Sequence, residues 1–279
     1  MRISVITPVL NRDKYLEECI ESVLKQSHHD TEHVLIDGCS EDGTLDILRR
    51  YSELYPERIR YISERDKGAC DAISKGLRLA SGAAFGFLGS DDIYPLDAMA
   101  KVNDAFRRYP DVGLIYGNCN IIDGAGQFTH TVYAADFDLK EAIHTFCGMY
   151  TPAMFYKREV VDRIGYMDGT INACDYDFIL RAARACVKFQ RVDEPLANFR
   201  MHNGSVTCSR GAQYMYAWQN FKVAHRYGAK LYGPRARNII MTYLTYPLRP
   251  ILAPIYHNRV LYPMLSRMLH KVIGGKPEK

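Results

Sequence analysis

Residues 3–27 read ISVITPVLNRDKYLEECIESVLKQS. ISVITPVL, over 3–10, is a short, mainly apolar and β-branched run, which predicts a strand. Leu16, Ile20, Val23 and Leu24 then recur at three- and four-residue spacing, which predicts an amphipathic helix. Strand, polar turn, helix is one half of a βαβ unit. The pattern repeats outward: EHVLIDG and then TLDILRRYSELY, IRYISE and then ACDAISKGLRLASG, AAFGFLGS and then PLDAMAKVNDAFRRYP, with VGLIYGN as a fifth strand. Gly82 closes the third helix and Pro95 stands near the start of the fourth. Alternation at this length implies right-handed crossovers and a largely parallel sheet flanked by helices, an α/β fold.

In such sheets ligands bind outside the carboxyl ends of the strands. Four polar clusters follow the first four strands: Asn11, DGCS at 37–40, ERDKG at 64–68 and SDD at 90–92. They converge on one rim. Asp91 and Asp92 are the sharpest feature, since adjacent like charges gain nothing from burial. They either cap the next helix or hold a cation. A cap needs one carboxylate, whereas two hard oxygen ligands suit Mg²⁺ or Mn²⁺ bridging phosphates. Asp37 is either a turn residue, as Asp-Gly often is, or a carboxylate gripping a base or ribose. Thr7 and Pro8 lie at the exit of the first strand.

Beyond residue 120 the alternation weakens. NIIDGAGQFTHTVY predicts a hairpin around Asp123 and Gly124. TPAMFYKREVVDRIGYMD and CDYDFILRAARA contain a strand and helices, and this half is expected to supply the second substrate's side of the site. His28 and His29 fall between a helix and a strand, on the opposite rim, and read as surface. Trp218 and the tyrosines beside it read as core packing rather than an acceptor groove.

At 279 residues, with 47% hydrophobic and 24% charged, the chain has the composition of an ordinary globular protein and a length that suits one large domain, or one domain with an appendage. The opening residues are too short an apolar run for a signal peptide. No run of about 18 uncharged apolar residues predicts a membrane-spanning helix. Eight cysteines carry no C-x-x-C pair, so each is expected as a free, small, buried thiol in a reducing compartment.

Charge is divided unevenly. From Pro195 to the end there are 13 Lys and Arg against one acid, Glu278, while the first 194 residues hold 31 acids and 23 bases. The tail from 226 onward mixes Arg and Lys with Tyr and Leu and is broken by Pro247, Pro250, Pro254 and Pro263. A basic amphipathic segment of this kind suits an anionic membrane surface. Its alternative is an appendage packed on the domain or on another subunit of an oligomer. Nucleic acid is a poor partner, because no binding motif accompanies the charge.

The ordered set VITPVLNRDKYLEECIESVLKQ, HVLIDGCSEDGT, SERDKGACDAISKGLRLASG, FLGSDD and CDYDFILRAA resembles the family 2 glycosyltransferases with the GT-A fold, over roughly residues 1–210. The resemblance implies a catalytic domain over 1–225 and a separate segment over 226–279. It implies a nucleotide-diphosphate sugar donor, most often UDP-linked, and an inverting transfer to a hydroxyl of a glycan or lipid-linked acceptor in cell-surface polysaccharide assembly. The cysteine pattern points to a cytoplasmic enzyme, and the basic tail to a peripheral place on the inner face of the membrane. Thr7, Pro8 and Asp37 would contact the nucleoside with Asn11 nearby, and Asp66, Lys67 and Gly68 would line the uracil and ribose. Asp91 would lie towards the ribose and Asp92 would bind Mn²⁺ or Mg²⁺, in a Ser-Asp-Asp variant of the Asp-x-Asp motif. Asp175 would be the base, with Cys174 in place of a more usual acid. His202 would ligate the metal or a phosphate, with Arg200 adding positive charge. A sugar nucleotidyltransferase is the rival enzyme, but TPVLNRDK lacks the glycine-rich phosphate loop it needs. A non-catalytic binding protein on the same fold would lack the base or the metal pair.

Overall fold

The structure is a computed structural model, and it describes residues 1–205, 210–230 and 233–234, with the side chains of 210–214 left out. Most of the basic tail beyond 226 therefore lies outside the described residues. Eight strands form one sheet: β1 (Ile3–Val9), β2 (Thr31–Asp37), β3 (Ile59–Ser63), β4 (Ala84–Phe87), β5 (Leu114–Ile122), β6 (Phe128–Val132), β7 (Met154–Lys157) and β8 (Phe189–Arg200). The order is β3-β2-β1-β4-β7-β5-β6, with β8 also paired to β5. The first four strands are parallel, as the βαβ pattern requires. The parallel run stops there: β7 joins β4 and β5 antiparallel, and β5 and β6 form the expected hairpin.

The helices are α1 (Asp13–Leu24), α2 (Thr44–Leu54), α3 (Ala69–Leu79), α4 (Ala98–Arg108), α5 (Leu139–His144), α6 (Arg158–Ile164), α7 (Cys174–Arg184) and α8 (Arg210–Arg226). Strand β1 shows how they cover the sheet. Ile6 faces the cluster of α3, α6 and α7, with Ile73, Leu77, Val160 and Phe178. Ile3 and Val5 face the opposite cluster, with Val23 of α1 and Met99, Val102 and Phe106 of α4. Alternate side chains thus serve opposite faces. Strand β2 is buried at every position, because helices close both of its faces. Helix α3 packs very closely, since a Cβ at Gly76 would stand 2.4 Å from the Ile6 side chain.

Strand β8 was not anticipated from sequence. FQRVDEPLANFR holds a proline and three charged residues before its last position, which reads as a loop. The register shifts beside Asn118 let Pro195 pair without a ladder donor. Helix α8 packs Phe221's neighbours Val223 and Ala224 against α5 and α7. Among the described residues no helix is long and apolar enough to cross a membrane.

Candidate active site

The parallel register sets Val9 beside Asp37 and Asp37 beside Ser63, so the polar clusters do share one rim. At its centre Asp37 is fully buried. Its carboxylate accepts the Cys39 and Ser40 amides at 3.1 Å each, the Ser40 hydroxyl, and the Ser63 hydroxyl at 2.6 Å. Asn11 takes a left-handed conformation, φ 52°, which Asn tolerates better than most residues. Its amide donates to Ser40 Oγ at 2.8 Å and its Oδ1 accepts from the Glu41 amide at 2.9 Å. Asn11 therefore clamps the β1 exit to the 37–43 turn. Pro8 is half-buried beside it. Thr7 lies beneath the rim, fully buried, with its hydroxyl 2.8 Å from His33 Nε2.

Asp66 lies across Gly38, where a Cβ would come within 2.8 Å of Asp66 Oδ2. Its Oδ1 accepts from the Gly68 amide at 2.8 Å. Gly68 sits at φ 118°, a conformation that favours glycine, and turns the chain into α3. Lys67 is exposed, its amide donating to Asp71 at 3.1 Å.

The two adjacent carboxylates do not share a face. Both curl over Gly89, where a Cβ would meet Asp92 Oδ2 at 2.6 Å and Asp91 Oδ1 at 3.0 Å. Asp92 turns inward, 3% exposed, and accepts the Arg200 amide at 2.8 Å. Burial, and then the charge of Asp91, push its carboxyl up to about 8. Asp91 turns outward, and its Oδ2 stands 2.9 Å from His202 Nε2. Tyr15 backs the imidazole, with ring centroids 4.7 Å apart.

Arg200 departs from the sequence expectation. It is 1% exposed and does not reach the rim. Its Nε donates to the Asp91 carbonyl at 2.8 Å, Nη2 reaches Glu18 at 2.5 Å, and the guanidinium lies 4.7 Å from the Tyr15 ring centre. It braces the loop that presents Asp91, and its charge acts on Asp92 from beneath that loop rather than from an exposed position. Glu18 and Tyr15 are contributors that sequence reading missed, since on α1 they look like ordinary amphipathic-helix residues.

Asp175 opens α7, half-buried. Its Oδ2 accepts from the Thr151 hydroxyl at 2.6 Å and its Oδ1 from the Tyr176 amide at 2.8 Å. Tyr216 of α8 stands close enough that burial, and then the charge of Asp175, raise its phenol. Asp177 points elsewhere, to Arg181 at 2.8 Å. Thr151 carried no signal in the sequence.

Two further expectations are corrected here. Cys70 and Cys174 form a disulfide and are not free thiols. They stand 104 positions apart, so only the tertiary fold brings α3 to α7. Trp218 is not core: it is 49% exposed, stacked on Phe221 with Lys222 above it.

Among the described residues no group of three or more His, Cys, Asp or Glu could hold a metal ion. The Asp91–His202 pair still fits Mg²⁺ or Mn²⁺ chemically. Mg²⁺ commonly takes one or two carboxylates and completes its shell with phosphates and water. A two-ligand corner does not fit the closed four-ligand set of a structural zinc site.

Several solved structures share this architecture. The chain superposes on a mannosyltransferase from Pyrobaculum calidifontis, solved with GDP-Man and Mn²⁺, with a TM-score of 0.63 and 18% identity over 99% of this chain and 76% of that one. For S. aureus TarS 1-349 in complex with UDP the TM-score is 0.59 and the identity 19%, over 78% and 65%. Among curated proteins, a PGL/p-HBAD biosynthesis glycosyltransferase of Mycobacterium bovis is 32% identical over 182 residues, covering 64% of this chain and 68% of its own length. Chondroitin synthase of Escherichia coli is 28% identical over 208 residues, 75% of this chain but 30% of the synthase. An uncharacterized glycosyltransferase of Nostoc is matched over 66% of its length. The chain thus spans between about a third and two thirds of these relatives. The family profile described as Glycosyl transferase family 2 matches residues 4–165, more than half of the sequence, and the chain belongs to that family.

Proposed function

We propose that this chain is an inverting, divalent-metal-dependent glycosyltransferase. It moves a sugar from a nucleotide-diphosphate donor, UDP-linked, to a hydroxyl of a glycan or lipid-linked acceptor in cell-surface polysaccharide assembly. The observation that carries this reading is the Asp91–His202 pair at 2.9 Å, on the rim where Asn11, Asp37, Asp66 and Gly68 shape the donor loops. In this reading the metal role passes from Asp92 to Asp91 with His202, because Asp92 faces inward. Asp91 and His202 would hold Mn²⁺ or Mg²⁺, which would supply positive charge against the negative charge that builds on the leaving diphosphate.

The protein's own groups do the rest. Asn11 and the 37–43 turn hold the nucleoside side, and Asp66 with Gly68 closes the ribose edge. Thr151 and the Tyr176 amide fix the Asp175 carboxylate, one to each oxygen. Asp175 accepts the proton of the acceptor hydroxyl as that oxygen attacks the anomeric carbon from the face opposite the phosphate. The bond from that carbon to the phosphate oxygen breaks, and the nucleoside diphosphate leaves. The mannosyltransferase solved with GDP-Man and Mn²⁺ and the TarS structure with UDP support a nucleotide-sugar donor. We place the protein in the cytoplasm, peripheral on the membrane through 226–279.

Thermal stabilisation by UDP, GDP, CDP and dTDP, each with and without Mn²⁺, tests this directly, because a ligand of the native state raises its stability. We expect a Mn²⁺-dependent shift with UDP that Asp91→Ala abolishes. A shift with another nucleotide instead changes the donor. No Mn²⁺-dependent shift with any of the four refutes the donor site. Transfer that survives Asp175→Asn refutes the base.

A further inference from the structure

The residue next to the base is covalently tied to the donor half of the site. Cys174 begins α7, immediately before Asp175, and Cys70 is the second residue of α3, just after the 64–68 loop. The bridge holds their Cα atoms 6.0 Å apart. Helix α3 is a firm anchor, pressed on the sheet through Ile73, Leu77 and the bare backbone of Gly76.

The segment before the base has no regular structure of its own over 165–173. It is laid along α3 by several contacts. Ser74 Oγ donates to the Met167 carbonyl at 2.8 Å, and the Arg78 guanidinium lies 4.2 Å from the Tyr166 ring centre. A Cβ at Gly169 would sit 3.1 Å from the Asp71 Cα. On its other side the Asn172 amide donates to Gln219 of α8 at 2.6 Å. Arg181 of α7 also donates to the Ile164 and Tyr166 carbonyls at 2.6 and 2.9 Å, and Met167 and Ala173 are buried. An irregular segment without a backbone ladder still opens more readily than a helix or strand. The disulfide is the one covalent tie between it and the donor side among the described residues, and it is placed one residue from the carboxylate.

Resting on the reading of Asp175 as base, we propose that Cys70 and Cys174 are positioning residues. Their disulfide fixes the Asp175 carboxylate relative to the 64–68 loop, so that transfer depends on the thiol redox state while nucleotide binding does not. Reduction by a dithiol breaks the S–S bond. Cys70 and Cys174 each gain a hydrogen, and the dithiol is oxidised to its own disulfide. The two thiols left behind still pack as small buried apolar groups, so α3 and α7 keep their places in the core. Only the segment's tether is lost. Single disulfides in proteins of reducing compartments are usually transient or redox-sensing, which matches a bridge at this position.

The test uses the full chain, oxidised and then reduced with dithiothreitol, with the bridge followed by alkylation and intact mass. Turnover, UDP affinity with Mn²⁺, and amide hydrogen exchange are measured on both forms. Reduction is expected to lower kcat by roughly ten- to a hundred-fold, the scale of an ångström-level misplacement. UDP affinity stays the same, and amides of 166–176 exchange faster while those of β1 and β2 do not. The Cys70→Ala/Cys174→Ala protein should match the reduced enzyme and ignore dithiothreitol. Equal kcat and equal exchange in both forms overturn the proposal, as does alkylation of both cysteines in the unreduced protein. A fall in kcat together with UDP affinity and melting temperature also overturns it, since that marks general loosening. If the oxidised protein transfers no sugar from any donor, the glycosyltransferase reading fails, and the exchange comparison still decides the tether.

Discussion

Replacing Arg200 with Met separates a brace from a phosphate-binding residue. The guanidinium is 1% exposed and makes three contacts: the Asp91 carbonyl, Glu18 and the Tyr15 ring. A charged donor to a buried carbonyl contributes about 1.5–3 kcal/mol. The Glu18 end is worth at most about 1 kcal/mol, because that carboxylate is 58% exposed and water replaces the partner. The stack on Tyr15 adds about 1 kcal/mol. Methionine recovers part of the packing, which leaves a net loss of about 2–4 kcal/mol. At a few degrees per kcal/mol, the melting temperature should fall by roughly 10 °C. The loosened Asp91 loop should also weaken Mn²⁺-dependent UDP binding by about tenfold, the equivalent of 1.4 kcal/mol. Differential scanning calorimetry and titration calorimetry read the two effects. An unchanged melting temperature with a loss of UDP binding beyond about a hundredfold (~2.7 kcal/mol) would refute the brace and return Arg200 to the phosphates.

Thr151→Val removes the hydroxyl that holds Asp175 Oδ2 and keeps the shape. Turnover should fall about tenfold, from the loss of one hydrogen bond to a charged group, with UDP affinity unchanged, and Thr151→Ser should restore most of it. The pH dependence of stability has a separate signature. Burial, and then repulsion by Arg58, hold His33 at about 3, below its ordinary 6.5. The folded state keeps His33 neutral, so its contribution is complete above pH 6.5 and is lost as pH falls towards 3. His33 by itself lowers stability by about 1.4 kcal/mol per unit below pH 6.5, while Asp92, held at about 8, raises it by a similar amount over the same range, so urea unfolding reads the His33 share only as a difference between proteins. Glu32 lies at about 2, lowered by hydrogen bonds from Ser4, Ser81 and Arg60 that outweigh its burial, so its contribution begins to be lost only below 4.5. Between pH 6.5 and 4.5 a His33→Gln protein should gain stability relative to the parent by about 1.4 kcal/mol for each unit that pH falls, and an identical pH dependence in the two proteins would remove His33 as a contributor.

The first half of the molecule was legible because its information is local. The apolar spacing of α1 and the short β-branched or aromatic runs in β1, β2 and β4 fix each element within a dozen residues, and the parallel register then places Asn11, Asp37, Asp66 and Asp91 on one rim by geometry alone. Asp175 was readable as a carboxylate at a helix start, with its family motif around it. The second half depends on partners far along the chain. Strand β8 is a strand because bulged β5 accepts its proline, and nothing within FQRVDEPLANFR says so.

Other differences have the same origin. Asp91 and Asp92 are adjacent in sequence and look equivalent. Only the Arg200 amide, 108 residues away, selects Asp92 for the interior and leaves Asp91 facing His202. Arg200 read as a cation beside the phosphates until β8 carried it beneath the loop. The Cys70–Cys174 bridge spans 104 positions with no spacing rule, because whether two thiols meet depends on how α3 and α7 pack on the same face of the sheet. The sequence by itself determined the elements of the first half, the parallel order of its first four strands and the chemistry of the rim, since hydrophobic periodicity and turn residues act over short range. Which carboxylate faces outward, what braces it and what holds the base were decided by the tertiary structure, since burial and hydrogen-bond partners are properties of the packed chain.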